Sequence, residues 1–91
     1  MHSLSSTATR AVRLLLDQQP NTTAKIAFAW TIAAGPALAR ASRLDWATDG
    51  TLRVQASSDN WRRELRRARP TLAARLAELL GPDVVRKITI G

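Results

Sequence analysis

The sequence predicts one α+β domain with the element order α-α-β-β-α-α-β and helices packed on one face of a three-stranded sheet. Its 91 residues, of which 45% are hydrophobic, are enough for a single core. Four segments carry apolar residues at helical spacing, and two short segments around an Asp-Gly pair alternate apolar and polar residues. We assign residues 1–21 to an N-terminal helix and linker, and residues 22–91 to the main domain.

The first helix is predicted over residues 4–18, and Pro20 follows at a point where a helix cannot continue. The face that we expect to be buried consists of Ala8, Val12, Leu15 and Leu16.

The second helix is predicted to begin at Thr22 or Thr23, because either hydroxyl can cap the first turn. Nearly every position is apolar, so we expect burial on most sides and a central place in the fold. Gly35-Pro36 predicts a kink, or a break followed by a short helix over residues 36–41. The residues at i, i+4, i+7 and i+11 are Ile26, Trp30, Ala33 and Ala37.

Residues 42–57 alternate apolar and polar side chains on both sides of the Asp-Gly pair, which predicts a β-hairpin. A two-residue loop would pair Trp46 with Arg53 and put the core faces on opposite sides of the sheet. A three-residue loop pairs Trp46 with Leu52 and places Gly50 where a left-handed backbone is needed. Because a slip of one residue moves every side chain to the other face, we predict the three-residue loop.

The next helix begins near Ser58 or Asp59 and is the most basic stretch of the chain. Its apolar stripe is Trp61, Leu65 and Ala68. One flank of the stripe carries Arg62, Arg66 and Arg69, and the back of the helix carries Arg63 and Arg67. Asp59 is expected to pair with Arg63, and Glu64 with Arg67, so the flank is left largely unpaired.

Pro70 is predicted to open a separate helix as its first residue, and Gly81-Pro82 ends that helix. Its buried face is Leu72, Leu76 and Leu79 or Leu80. A last strand is predicted over residues 84–90. The three tryptophans all lie on apolar faces, so they are predicted to be core residues rather than base-stacking ones.

The charge of the chain favours a polyanionic partner. Fourteen Lys and Arg residues stand against seven Asp and Glu residues, for a net charge of +7. Nucleic acid is the first candidate, and an acidic membrane surface or an acidic protein is the second. No segment speaks for export or is long enough to span a membrane, so we expect a cytoplasmic protein. If its partner is DNA, it is expected to associate with the nucleoid.

The chemical inventory does not favour an enzyme. The chain has no cysteine, and its one histidine, His2, lies at the N-terminus. The carboxylates are scattered, and the serines of residues 57–58 have no base within their segment. We therefore predict no catalytic residues, no metal site and no cofactor.

An ordered set of short motifs resembles the DciA family of bacterial proteins. It covers roughly residues 22–91 and consists of Trp30, Gly35-Pro36-Ala37-Leu38-Ala39, Asp49-Gly50-Thr51-Leu52-Arg53-Val54, Ser57-Ser58-x-x-Trp61-x-x-Glu64-Leu65, Leu72, Leu76, Gly81, Val84-Val85 and Ile88. The resemblance implies a KH-like domain that binds DNA and assists loading of the replicative helicase. A KH domain usually clamps nucleic acid with a Gly-x-x-Gly loop. The predicted turn at residues 67–70 has no glycine, so binding would depend on arginine side chains.

The site predicted on this basis is a basic surface that contacts phosphates of single-stranded or duplex DNA. Its main residues are Arg62, Arg63, Arg66, Arg67 and Arg69, and its secondary residues are Arg43 and Arg53. The replicative helicase is a further expected partner, and no membrane is expected. Two alternatives remain open: an RNA-binding KH-like module, and an adaptor that docks an acidic protein. Salt dependence of DNA binding distinguishes the adaptor, and competition between DNA and RNA distinguishes the RNA-binding module.

Overall fold

The computed structural model describes the backbone of residues 2–91 and the side chains of residue 8 and residues 10–91. Within that range the elements follow the order α-α-β-β-α-β, which confirms the α+β class. The helices are α1 (His2–Asp17), α2 (Thr23–Arg40) and α3 (Asp59–Leu80). The strands are β1 (Ser42–Trp46), β2 (Thr51–Ala56) and β3 (Lys87–Ile90).

The strands form one sheet in the order β1-β2-β3, with β1 and β2 antiparallel and β2 and β3 parallel. Trp46 pairs with Leu52, which confirms the register predicted for the three-residue loop. The N–H of Ala47 donates to the carbonyl of Thr51 at 2.9 Å and closes this loop. Gly50 has a φ of +92°, a backbone conformation that glycine adopts without steric cost. The turn therefore sets which side chains of the hairpin face the core.

The helices cover one face of the sheet, as predicted. Along β2, Leu52 and Val54 are buried, whereas Arg53 and Gln55 are exposed. Helix α2 packs on β1, and α3 packs on both β2 and β3. The opposite face, which we call the open sheet face, carries polar side chains and is covered by none of the helices of residues 2–91.

Helix α1 packs against α3 and contributes Leu16 to the core. Val12 is partly buried beside it. Ala8 and Leu15, which were predicted to share the buried face, are exposed, and Leu15 retains 64% of its accessible surface. Residues 15 and 16 differ by about 100° around a helix. The contact with α3 is therefore narrow enough to cover Leu16 and leave Leu15 outside.

Helix α2 consists of two helical segments with a break at Gly35, where φ is +84°. The second segment starts at Pro36, so the predicted break is confirmed. The prediction that α2 is buried on most sides is wrong, because Phe28 and Ile32 are 55% and 45% exposed. The helix packs on β1 and on α3, and these contacts leave its outer side in solvent.

Helix α3 continues across Pro70, so the predicted turn at residues 67–70 and the separate helix after it are wrong. A proline has a helical φ, but it lacks the N–H that would bond to the carbonyl one turn earlier, and its ring crowds that carbonyl. The apolar stripe keeps its phase across the proline, because Ala68, Leu72 and Leu76 follow one another at i+4. Leu72 and Leu76 are buried and Ala68 is partly buried, and this packing offsets the cost of the proline.

Both ends of α3 are capped by predicted residues. The Ser58 hydroxyl accepts a hydrogen bond from the N–H of Trp61 at 3.2 Å. At the other end Gly81 has a φ of +89°, and its N–H donates to the carbonyl of Ala77 at 2.9 Å. These caps satisfy backbone groups that a helix leaves free at its ends.

Strand β3 begins at Lys87, three residues later than predicted. The residues before it form a loop that is tied to the hairpin. The carbonyl of Val84 accepts a hydrogen bond from the indole of Trp46 at 3.0 Å. The N–H groups of Arg86 and Lys87 both donate to the carbonyl of Gly50, at 2.7 and 3.2 Å. The loop and the hairpin turn therefore form one local unit.

Candidate nucleic-acid interface

The flank of α3 that was predicted to be unpaired is only partly so. Arg62 Nη1 lies 2.7 Å from Asp59 Oδ1, and only 35% of the Arg62 side chain is exposed. The predicted Asp59–Arg63 pair is thus replaced by a pair at i+3. Arg66 and Arg69 are exposed, and neither has a carboxylate within 4.0 Å among the described side chains. The cations of this flank that remain available to a ligand are Arg66 and Arg69.

The back of α3 carries two arginines that are bound to neighbours on the same helix. Arg67 lies 3.6 Å from the carboxylate of Glu64, so this predicted pair is confirmed. Arg63 donates a hydrogen bond to the side-chain carbonyl of Asn60. Both arginines are exposed on the side of α3 that is turned away from the sheet.

A cleft of about 320 Å³ lies between α3 and β3, and we call it the basic cleft. Its α3 wall is Arg69, Pro70 and Ala73, and its other wall is Val85, Arg86, Lys87 and Ile88. Three of these seven residues are cationic and none is acidic. The cleft therefore combines a few apolar side chains with three positive charges, a composition that suits a phosphate backbone.

The basic cleft includes Arg86 and Lys87, which sequence reasoning did not assign to the site. The two residues are 17 and 18 positions from Arg69 along the chain. They reach it because β3 pairs in parallel with β2 and forms the edge of the sheet beside α3. The alternation along the strand places Lys87 on the face that Ile88 and Ile90 do not share. No local feature of the sequence indicates which helix lies next to that strand.

The secondary residues Arg43 and Arg53 lie on the open sheet face, opposite Gln55 and Asp45 in the hairpin register. Lys87 pairs with Thr51, so it lies on the open sheet face, and it also lines the basic cleft. The predicted site residues are therefore divided between two surfaces. The outer side of α3 and the open sheet face point in opposite directions, and the basic cleft lies at the sheet edge between them.

Asp49 shows that positive charges from two strands act on the same end of the sheet. Hydrogen bonds from the Thr51 amide, at 2.9 Å, and from the Thr51 hydroxyl hold the pKa of the Asp49 carboxyl below its ordinary value of 3.8. The charges of Arg53 and Lys87 lower that pKa further. Arg53 of the open sheet face and Lys87 of the basic cleft are therefore both close enough to Asp49 to act on its charge.

A second cleft, of about 440 Å³, lies between α1 and α2 and is mostly apolar. Its lining includes Leu15, Phe28 and the stem of Lys25. The ammonium group of Lys25 is already bonded to the Gln19 carbonyl and the Asn21 side chain, both at 3.0 Å. This cleft therefore offers little to a polyanion.

No group of three metal-ligating side chains occurs among residues 8 and 10–91. None of the helices of residues 2–91 combines the length and the apolar character that crossing a membrane requires.

Comparison with known proteins identifies the family of the chain. The family profile described as "Dna[CI] antecedent, DciA" matches residues 3–90, nearly the whole chain. No curated protein and no solved structure gives a significant match, so the KH-like relationship of the fold stays a prediction. The family is associated with bacterial DNA replication and with loading of the replicative helicase, and it is not known as a family of enzymes. With almost all of its residues matched in order, the chain belongs to the DciA family.

Proposed function

We propose that this protein binds DNA through the basic cleft and the adjoining Arg66 of α3, and that it thereby assists loading of the replicative helicase. The observation that supports this proposal is the cleft itself. Arg69, Arg86 and Lys87 come from a helix, a loop and a strand, and they converge without an acidic residue among them. Convergence of cations from separate elements is more specific than the overall charge of +7.

Side chains, rather than backbone amides, supply the phosphate contacts in this proposal. Helix α3 is continuous where a KH domain has its Gly-x-x-Gly loop, so the amides at that point are engaged in helical hydrogen bonds. An arginine guanidinium can bind phosphate oxygens in a bidentate manner, whereas a lysine acts as a point charge. We therefore assign the main contacts to the exposed cations on both walls of the cleft.

The remaining predicted residues have lesser roles in the proposal. Arg62 is held by Asp59, and Arg67 lies beside Glu64, so each is partly neutralised before DNA arrives. Arg63 is exposed but faces away from the cleft. Arg43 and Arg53 contact DNA only where a strand continues from the cleft onto the open sheet face.

The test compares two double variants that remove the same charge from different sides of α3. Arg66→Ala/Arg69→Ala should weaken binding of unrelated DNA sequences to a similar extent, because phosphate contacts carry no sequence information. It should also flatten the log–log salt slope by about one to two units, at roughly 0.7 to 0.9 per lost contact. Arg63→Ala/Arg67→Ala should change both quantities much less. Fluorescence anisotropy at several salt concentrations measures affinity and slope together.

The control pair decides whether the cleft or the overall charge carries the binding. Equal losses in the two double variants would show that DNA responds only to net charge, and the proposed site would be wrong. A wild-type protein that prefers RNA in competition would favour the RNA-binding alternative. A protein that binds no nucleic acid, but is retained by the replicative helicase in a pull-down, would favour the adaptor.

A further inference from the structure

We propose that Gly50 is a positioning residue that holds Arg86 in the basic cleft. The inference rests on the proposed DNA-binding function of that cleft. Gly50 lies in the hairpin turn and Arg86 in the loop before β3, and the two are in direct contact. An ideal Cβ at position 50 would lie 2.8 Å from Arg86 Cγ, 3.0 Å from Cβ and 3.1 Å from Cδ. Any side chain at position 50 would therefore displace the stem of Arg86.

Arg86 is fixed at three points. Its N–H donates to the Gly50 carbonyl at 2.7 Å, its stem lies across the Gly50 Cα, and its Nε donates to the Asp83 carbonyl at 3.3 Å. No carboxylate lies within 4.0 Å of its guanidinium among the described side chains. The terminal nitrogens are left for a ligand in the cleft. An arginine held in this way loses less rotamer freedom when it binds phosphate than a free surface arginine does.

The role of Gly50 thus goes beyond the backbone geometry of the turn. Positive φ alone requires glycine or asparagine at this position. The contact with Arg86 additionally requires the absence of a side chain, which asparagine does not satisfy. Asparagine adopts positive φ at a lower cost than most side chains and introduces the Cβ. Combining it with Arg86→Ala, which relieves only the contact, separates the two requirements.

The matched control is Gly35, which also has a positive φ, of +84°, but has no atom within 4 Å of an ideal Cβ. At Gly35 ψ is 165°, a backbone region that is essentially restricted to glycine, so Gly35→Asn strains the backbone while its new Cβ touches no cleft residue. Gly50→Asn should weaken DNA binding by roughly five- to tenfold, as expected for one lost charge-assisted contact. It should also lower the salt slope by about 0.7 to 0.9. Gly35→Asn should leave affinity and slope at the wild-type values.

The decisive experiment is a double-mutant cycle with Arg86→Ala, measured by fluorescence anisotropy on the folded full chain. If Gly50 acts through Arg86, Gly50→Asn should have less than about a twofold effect once Arg86 is alanine. Independent, additive effects would overturn the inference while leaving the proposed function intact. The proposed function, and the inference with it, would instead be overturned if Arg66→Ala/Arg69→Ala bound DNA as tightly as the wild type, or if the wild type bound no DNA.

Thermal unfolding provides a second measurement if Gly50→Asn is poorly folded. Arg86→Ala removes Cγ and Cδ, two of the three atoms that a Cβ at position 50 would approach most closely. It should therefore raise the unfolding midpoint of Gly50→Asn while it leaves that of Gly35→Asn unchanged. An equal effect on both variants would show that Gly50 has only a backbone role.

Discussion

Two tryptophans donate hydrogen bonds from their indole N–H groups to partners within the fold. Trp30 is 2% exposed, and its Nε1 donates to the Ser42 hydroxyl at 3.0 Å. That hydroxyl donates in turn to the carbonyl of Leu38 at 2.8 Å. The Nε1 of Trp46 donates to the carbonyl of the loop before β3. Because a buried indole requires a partner for its N–H, the bond to Ser42 confirms that Trp30 belongs to the core. Trp46 is partly buried against the same core and is held there by its own hydrogen bond.

Trp61 is partly buried and packs at the edge of the same core. Trp61→Ala should lower the free energy of unfolding by about 2 to 3 kcal/mol, and Trp30→Ala by about 3 to 5 kcal/mol. The difference is expected because the loss of stability rises with the apolar area that the side chain buries. Phe28→Ala is the control, since 55% of this aromatic side chain is exposed. Urea denaturation measures all three. If Trp61→Ala were as harmless as Phe28→Ala but abolished DNA binding, Trp61 would be a ligand-stacking residue.

At the scale of elements, the sequence predicts those features that depend on residues close together along the chain. The hairpin register follows from alternation and from one glycine, Gly50, within a few residues of one another. The break in α2 follows from Gly35-Pro36 for the same reason. The continuity of α3 could not be read from Pro70, because burial of leucines on both sides of it outweighs a local signal. The phase of the leucine stripe was the sequence feature that indicated one helix.

The candidate site was predictable only in part for a related reason. The arginines of α3 follow from helical spacing, but the second wall of the basic cleft depends on the parallel pairing of β2 with β3. That pairing joins segments that are distant along the chain, and no short motif specifies it. Ion pairing within the first turn of α3 was also uncertain, because Asp59 can reach partners at either i+3 or i+4.

Pro70→Ala tests whether α3 is one helix. In a continuous helix the substitution restores one backbone donor, so it should stabilise the protein by about 1 to 3 kcal/mol. If Pro70 instead opened a second helix as its first residue, the change would be neutral or destabilising. Pro82→Ala is the control, because Pro82 lies beyond the end of α3. Thermal and urea unfolding provide the comparison, and an unchanged stability of Pro70→Ala would contradict the continuous helix.

At the scale of the whole molecule, Arg69, Arg86 and Lys87 lie at the β3 edge of the sheet. The outer side of α3 and the open sheet face lie on opposite sides of a molecule whose principal extents are 35 × 33 × 19 Å. The basic cleft lies at the β3 edge, and Lys87 belongs to both the cleft and the open sheet face. A flexible ligand can follow this edge, whereas a rigid ligand contacts one side at a time.

This arrangement predicts that Arg43 and Arg53 matter only for ligands that pass around the edge. A single strand of about 20 nucleotides is longer than the roughly 4 to 16 nucleotides that one OB fold binds, and it can continue from the cleft onto the open sheet face. Duplex DNA has a persistence length of about 150 base pairs and does not bend over such a distance without cost. Arg43→Ala/Arg53→Ala should therefore weaken binding of the long single strand and flatten its salt slope by about one unit.

The same double variant should bind a single strand of about five nucleotides, and a short duplex, with nearly wild-type affinity. Anisotropy titrations with the three ligands, at matched salt, give the comparison. Arg66→Ala/Arg69→Ala is the reference, because removal of cleft cations should weaken binding of all three. An equal loss for all ligands in Arg43→Ala/Arg53→Ala would place the open sheet face at the centre of the binding site. The path around the β3 edge would then be wrong, and the cleft would act as an accessory surface.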